Sequence, residues 1–303
     1  MKHFFIVNPA AGQGDGVEKL KSALAKTSLH CEVYETKCRG DATEYVKACV
    51  ASTNEELRFY ACGGDGTAKE VAEGIIGAAH ASMTIYPIGS GNDLVKYFGG
   101  ADKFMDIVAL AEAPVTEIDI IHVTTKEGMD TYSINAINFG FEAVAAAVMN
   151  KVRRKPIIGG KASYTTGVVG AIFTAMKNKG EIYADGELLN PDGTYILCTA
   201  ANGGFIGGGY HCAPRASVAD GLLEVCKMRP LSIFTLVRLI GVYKAGKHLE
   251  DKRFEKYITY CRVKKIESSS EKPFSLSLDG EVTTTTHFTA EVMPKAIRFA
   301  APK

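Results

Sequence analysis

Charge of one sign is what this sequence most lacks: 35 Lys and Arg stand against 34 Asp and Glu, a formal net charge of +1 at pH 7. So balanced a chain offers no global electrostatic footprint for nucleic acid. Long apolar runs are missing too, and none could span a bilayer. Any work on lipids is then expected from the membrane surface. Met1-Lys2-His3 leads at once into a strand-like run, so no signal peptide is expected. The eight cysteines are scattered, no pair has metal-ligand spacing, and Cys49, Cys62, Cys198 and Cys226 sit in apolar runs. Reduced thiols in a cytosolic protein are the simplest reading. There is neither an internal repeat nor a low-complexity tail. What remains is 303 residues, 46% hydrophobic and 23% charged, enough for a sizeable core and more naturally two domains than one.

The first third alternates strand-like and helix-like stretches. His3–Val7, Cys31–Thr36, Leu57–Cys62 and Met83–Ile88 read as strands; Val17–Leu29, Asp41–Val50 and the run from Lys69 read as helices, with Asp41 as an N-cap. That alternation predicts a mostly parallel sheet covered on both faces, whose ligands bind at the carboxyl ends of its strands. Beyond Asp119 the pattern changes. Short β-like runs dominate: Ile118–Val123, Thr131–Phe139, Glu181–Leu188 around an Asp-Gly turn, Tyr195–Ala200, Gly221–Met228, Tyr257–Ile266 and Phe274–Asp279. They predict a sandwich or open barrel, interrupted by one helix near Leu231–Lys247. The expected division is an α/β nucleotide-binding domain over 1–122, completed by 292–303, and a mainly β domain over 123–291. An active-site cleft is expected between them.

The most informative stretch is Gly63-Gly64-Asp65-Gly66-Thr67, between a strand and a helix. Glycines there let backbone amides approach a phosphate at a helix N-terminus. An acid beside a phosphate repels it unless a metal ion stands between them, so Asp65 asks for Mg²⁺ as well, hence a nucleotide. Two further turns follow strands, Asn8-Pro9-Ala10-Ala11-Gly12 and Gly89-Ser90-Gly91-Asn92-Asp93. Each is ordinary turn chemistry alone; in this topology all three can meet. Asn92 and Asp93 add hard oxygen ligands.

These three motifs resemble the diacylglycerol kinase catalytic family. The resemblance extends to Asn202-Gly203-Gly204-Phe205-Ile206-Gly207-Gly208-Gly209, to Pro214, to Ala219-Asp220-Gly221-Leu222-Leu223 and to Leu278-Asp279-Gly280-Glu281. It covers nearly the whole chain and is nearest to the soluble bacterial lipid kinases, relatives of diacylglycerol and sphingosine kinases. The Gly-Gly-Asp-Gly run is shared with NAD kinases and, loosely, phosphofructokinases; the later motifs are not.

The resemblance implies a cytoplasmic, ATP- and Mg²⁺-dependent lipid kinase acting transiently at the inner membrane face, with diacylglycerol as acceptor and phosphatidate as product. A homodimer is compatible with it. It carries nucleotide contacts to Asn8, Pro9, Gly12, Thr36, Gly63, Gly64, Asp65, Gly66, Thr67, Ser90 and Asn92. Asp65, Asp93 and Asp119 match carboxylates that organise magnesium and water. Ser217, Asp220 and Leu222 match a second, structural metal site, for which the plain alternative is a turn before a strand. Two positions depart from the pattern: Lys69 replaces the usual Asn and either reaches a phosphate or points to solvent, and Ser90 replaces a common Thr.

Glu281 is the candidate general base, since a hydroxyl attacking a γ-phosphoryl needs its proton accepted. Continuing the alternation of Phe274, Leu276 and Leu278 places it on the polar face, just past a strand end. Asp185-Gly186-Glu187 is a decoy with the same triplet, read as a hairpin turn. Lys151–Lys155 and the 231–247 helix are the candidate membrane contacts. For the helix, an amphipathic element with a solvated charged face is preferred; for the basic run neither reading prevails. The rivals to a lipid kinase are a kinase for a soluble acceptor such as NAD and a nucleotide-binding regulator without turnover.

Overall fold

The computed structural model of the protein describes residues 1–12, 16–89, 91–153 and 176–303. It forms two compact units: Met1–Ile120 with Pro294–Lys303, and Ile121–Met293.

The first unit opens with β1 (Lys2–Val7), α1 (Gly16–Leu24), β2 (Cys31–Glu35), α2 (Asp41–Ser52), β3 (Leu57–Gly63), α3 (Asp65–Ile75) and β4 (Ala81–Pro87). The strands pair in parallel in the order β2-β1-β3-β4. β3 and β4 are buried at every position, as a parallel sheet covered on both faces requires. Phe5 stacks on Tyr60 with ring centroids 4.0 Å apart, and Tyr60 shares a 2.8 Å hydrogen bond with His3. Burying each such side chain contributes about 1.5–3 kcal/mol. Asp41 does not cap α2. Gly40 stands at the N-cap, Asp41 accepts instead from Tyr34 and Lys37, and Glu70 of α3 accepts from Gly40 N (3.0 Å) and Ala42 N (3.3 Å). α2 is thus closed by its neighbour rather than by its own side chain. Two short helices absent from the sequence reading follow, α4 (Asp93–Tyr97) and α5 (Ile107–Glu112), then β5 (Val115–Thr125).

The second unit is mostly β, as the pattern beyond Asp119 predicts. Its remaining elements are β6 (Asp130–Ser133), β7 (Ala136–Gly140), α6 (Phe141–Arg153), β8 (Asn178–Lys179), β9 (Glu181–Ala184), β10 (Glu187–Leu188), β11 (Thr194–Tyr195), β12 (Leu197–Ala201), β13 (Leu223–Met228), α7 (Ile233–Lys244), β14 (Ile258–Val263), β15 (Lys265–Leu278) and β16 (Glu281–Ala300). Antiparallel pairing runs β14-β13-β12-β7-β15-β16. β15 changes register between Ser269 and Phe274, so its first half pairs with β9 and its second with β7. Pro273 sits in that irregularity, where a missing N–H is tolerated. Sequence reading expects a break between Ile266 and Phe274; the strand instead continues through the polar Glu267–Glu271. The last residues of β16 return to the first unit, where Phe299 pairs in parallel with Met83. All eight cysteines are free thiols. Among the described residues no helix is long and apolar enough to cross a membrane.

Candidate active site

The parallel register sets the turns at one edge. Val7 lies opposite Cys62, Cys62 opposite Tyr86 and Gly63 opposite Pro87, so β1, β3 and β4 end level. The turns after them then interlock. Asn8 N donates to Cys62 O at 3.0 Å, and Asn8 Nδ2 reaches Thr67 Oγ1 at 3.4 Å. Gly89 N donates to Gly63 O at 2.9 Å and Asp65 N to Gly91 O at 3.0 Å. Asp65 Oδ1 accepts from Asp93 N at 2.8 Å, and Asn92 Nδ2 donates to Gly89 O at 2.7 Å. Thr36 joins from the end of β2, donating from N and Oγ1 to Val7 O. Pro9 and Gly12 are exposed on the first turn, while Gly64, Asp65 and Gly66 are half-buried and Thr67 is buried. Ser90 lies outside the described residues.

Glycine is required where the turns touch. A Cβ on Gly63 would lie 2.1 Å from Thr67 Oγ1, and one on Gly89 would lie 2.5 Å from Gly64 Cα. The second clash is with backbone, which no rotamer change relieves. Gly89→Ala is therefore expected to cost about 1–3 kcal/mol of stability, checked by thermal unfolding. Unchanged stability in that variant would show that the two turns can separate without cost. α3 begins inside this knot, with Gly64 at its N-cap and no side chain capping it. Its first-turn amides and the positive end of its dipole suit an anionic ligand.

The three proposed magnesium carboxylates are treated unequally. Asp65 and Asp93 adjoin through the 2.8 Å bond above. Asp93 is buried and holds Lys96 Nζ at 2.5 Å. Asp119 is fully buried in β5 and accepts from Lys295 N at 2.8 Å. Among the described residues no group of three or more His, Cys, Asp or Glu side chains could hold a metal ion. The set still suits Mg²⁺, which binds through one or two carboxylates and completes its shell with waters and substrate phosphates; of the three, Asp65 is the one that stands at the start of α3 among the turns. Asp220 looks like a turn: its Oδ1 accepts from Leu222 N at 3.1 Å just before β13, and Arg262 lies 3.9 Å from Oδ2, with Ser217 in the preceding loop. Lys69 does not point to solvent. It is buried on α3 with its Nζ 4.0 Å from Glu73.

In the second unit, Asp279 and Gly280 form the turn between β15 and β16, with φ of 49° and 87°. Glu281 is the first residue of β16 and pairs with Leu278. Cross-strand partners share a face, so Glu281 sides with Leu278 and Leu276, not with the polar set. The two-residue turn reverses the chain and cancels the alternation argument. Asp279 holds this turn, its carboxylate accepting from Ser133 Oγ (2.8 Å), Ile134 N (2.9 Å), Asn135 N (3.0 Å) and Ala136 N (3.0 Å). Asn135 in turn donates to Phe205 O at 2.7 Å and accepts from Asn202 N and Gly203 N, which ties in the late glycine cluster. Sequence reading assigns Asp279 and Asn135 no role. The only signal is the Asp-Gly pair itself, which the decoy shares: Asp185 and Gly186 have φ of 48° and 86°, and Asp185 accepts from Lys264 N and Lys265 N. Removing the carboxylate with Asp279→Ala orphans several amides and is expected to destabilise the protein by at least about 2 kcal/mol, read by urea unfolding. A change within about 0.5 kcal/mol would deny it the anchoring role.

The structure thus offers a knot of glycine turns around a helix N-terminus on a parallel sheet, and, described by itself, a mostly β unit. Two family profiles match the chain in order: the diacylglycerol kinase catalytic domain over residues 2–123 and the YegS C-terminal NAD kinase beta sandwich-like domain over residues 135–301. The chain belongs to this family of lipid kinases, which are transferases. A protein of Stenotrophomonas maltophilia named "Probable lipid kinase YegS-like" is 28% identical over 221 residues, 71% of this chain and 68% of the relative. One of the same name from Chromohalobacter salexigens is 30% identical over 222 residues, 72% and 66% respectively. A solved structure of a diacylglycerol kinase from Bacillus anthracis aligns at TM-score 0.68 and 20% identity, covering 99% of this chain and 96% of that one, which is likeness of fold.

Proposed function

We propose that this lipid kinase transfers the γ-phosphoryl group of ATP, with Mg²⁺, to a lipid hydroxyl, and that the acceptor is diacylglycerol, giving phosphatidate. The observation that carries the reading is the interlock of the 8–12, 63–67 and 89–93 turns around the start of α3. In this reading the amides of Gly64, Gly66 and Thr67 bind the phosphates, while that of Asp65 stays on Gly91 O, and Asn8 and Thr36 fix the first turn beside them. Asp65 supports a Mg²⁺ ion that, when bound, would neutralise charge on the β- and γ-phosphoryl oxygens. Glu281 accepts the hydroxyl proton at a carboxylate oxygen as the new O–P bond forms and the bond from the γ-phosphorus to the bridging oxygen breaks, with ADP as the leaving group. Asp279 keeps Glu281 in place.

The test is incubation of the protein with γ-labelled ATP, Mg²⁺ and a total lipid extract, followed by identification of the labelled species. Label in phosphatidate is the expected result. Label in another lipid would replace the acceptor, label transferred only to NAD would overturn the lipid reading, and no transfer to any acceptor would indicate a regulator.

A further inference from the structure

α7 has two unlike faces. Leu236, Leu239 and Tyr243 are buried in a cluster with Leu197, Met228 and Phe254. On the other side Phe234 is 89% exposed, Val237 61% and Ile233 43%. The sequence preference for a solvated charged face thus describes only part of this helix: its outer first turn is apolar. Phe234, Val237, Arg238, Gly241 and Lys244 follow three- and four-residue steps and are all exposed, so they form one stripe, apolar at one end and basic at the other. From Arg229 to Leu249 there is no Asp or Glu, while Arg229, Arg238, Lys244 and Lys247 are all exposed. Just before the helix, a hollow of about 480 Å³ is rimmed by Lys177, Arg229 and Lys256. Its one acid, Asp192, lies 3.5 Å from Arg229.

From this we infer that the outer face of α7 is a docking surface for an anionic lipid bilayer, with Phe234, Val237 and Ile233 entering the interface and the basic residues meeting lipid phosphates. The inference rests on the lipid kinase reading for its purpose but not for its geometry. An exposed Phe beside Val and Ile is an apolar patch that wants cover, and the cations of α7, on a helix that carries no acid of its own, choose an anionic cover. A second copy of the chain fits less well, since a two-fold pairing would set this basic stripe against itself. The helix is held from below by its core face, so it can present its outer residues without leaving the fold.

Co-sedimentation with vesicles tests it. The full chain is expected to bind phosphatidylcholine vesicles containing phosphatidylglycerol and to bind pure phosphatidylcholine weakly. Phe234→Ser with Val237→Ser should lower the partition coefficient about tenfold or more. Arg238→Gln and Lys244→Gln should each lower it roughly fivefold, an effect that high salt reproduces. These side chains are exposed, so unchanged thermal unfolding is expected in every variant. Phosphorylation of diacylglycerol in anionic vesicles should fall in parallel, while that of dispersed short-chain diacylglycerol stays at the wild-type level. Binding without phosphorylation of any lipid would sink the function proposed above and leave the docking surface standing. Wild-type protein that ignores anionic vesicles, a double variant that binds them normally, or a dimer in sedimentation velocity that the double variant abolishes would overturn the docking surface.

Discussion

Glu281→Gln is expected to slow lipid phosphorylation by about 10²–10⁴-fold, the usual contribution of a general base, with thermal unfolding and ATP affinity unchanged. Gln has the same shape and cannot accept the proton, so the loss should appear in kcat rather than in KM. Glu281 is half-buried beside Leu278. Glu187→Gln is the matched control. Glu187 follows an Asp-Gly turn of the same backbone geometry, φ 48° and 86° against 49° and 87°, but it is exposed. It should leave the rate at the wild-type level. If Glu281→Gln keeps normal turnover, or Glu187→Gln carries the loss, the base has been assigned to the wrong hairpin.

That pair shows where sequence reading reaches its limit. Asp185-Gly186 reads as a decoy because it makes a tight hairpin, yet Asp279-Gly280 makes the same one. What distinguishes them is non-local. Both aspartates hold distant groups, but different ones: Asp279 accepts from three successive backbone amides and a serine more than 140 residues earlier in the chain, whereas Asp185 accepts from the amides of Lys264 and Lys265, 79 and 80 residues later. No local pattern reports such a partner.

The α/β half was legible because β1, β3 and β4 are largely apolar runs and its turns are rich in glycine, both local signals. The mostly β half was legible as a class but not strand by strand. Thr283–Thr286 and Glu267–Glu271 fall outside the β-like runs that the sequence offers, yet they lie inside β16 and β15. There, pairing with β9, β7 and each other overrides polarity. In the same way Asp41 has the composition of a cap, but Glu70 from the next helix reaches the amides first. Lys69 could be read toward phosphate or water, and burial beside Glu73 removed the second choice. The candidate phosphate turns were the easiest part of all. At Gly89 the approach of the Gly64 backbone leaves no room for a Cβ, and at Gly63 a Cβ would meet the Thr67 side chain.

Asp65 allows scaffold and charge to be separated. Its Oδ1 accepts from Asp93 N at 2.8 Å and so links the second turn to the third. Asp65→Asn keeps an oxygen for that bond and loses the charge. Turnover is expected to fall about 10²–10³-fold, the scale of a lost electrostatic contact to the transferring group, with little change in unfolding temperature and with a higher Mg²⁺ concentration needed for half-maximal rate. Asp65→Ala loses charge and bond together. It should be as inactive and also less stable, by about 1–3 kcal/mol for the amide of Asp93 left unpaired. Asp93→Asn offers a third comparison. Asp93 already holds Lys96 at 2.5 Å, so removing its charge should shift the Mg²⁺ requirement less than removing that of Asp65. If Asp65→Asn turns over normally and titrates with Mg²⁺ as the parent does, Asp65 is a strut of the turn, and the ion, if needed, is held elsewhere. If Asp65→Ala alone is impaired, Asp65 is again a strut, and the knot of turns would owe its acid to folding rather than to phosphoryl transfer.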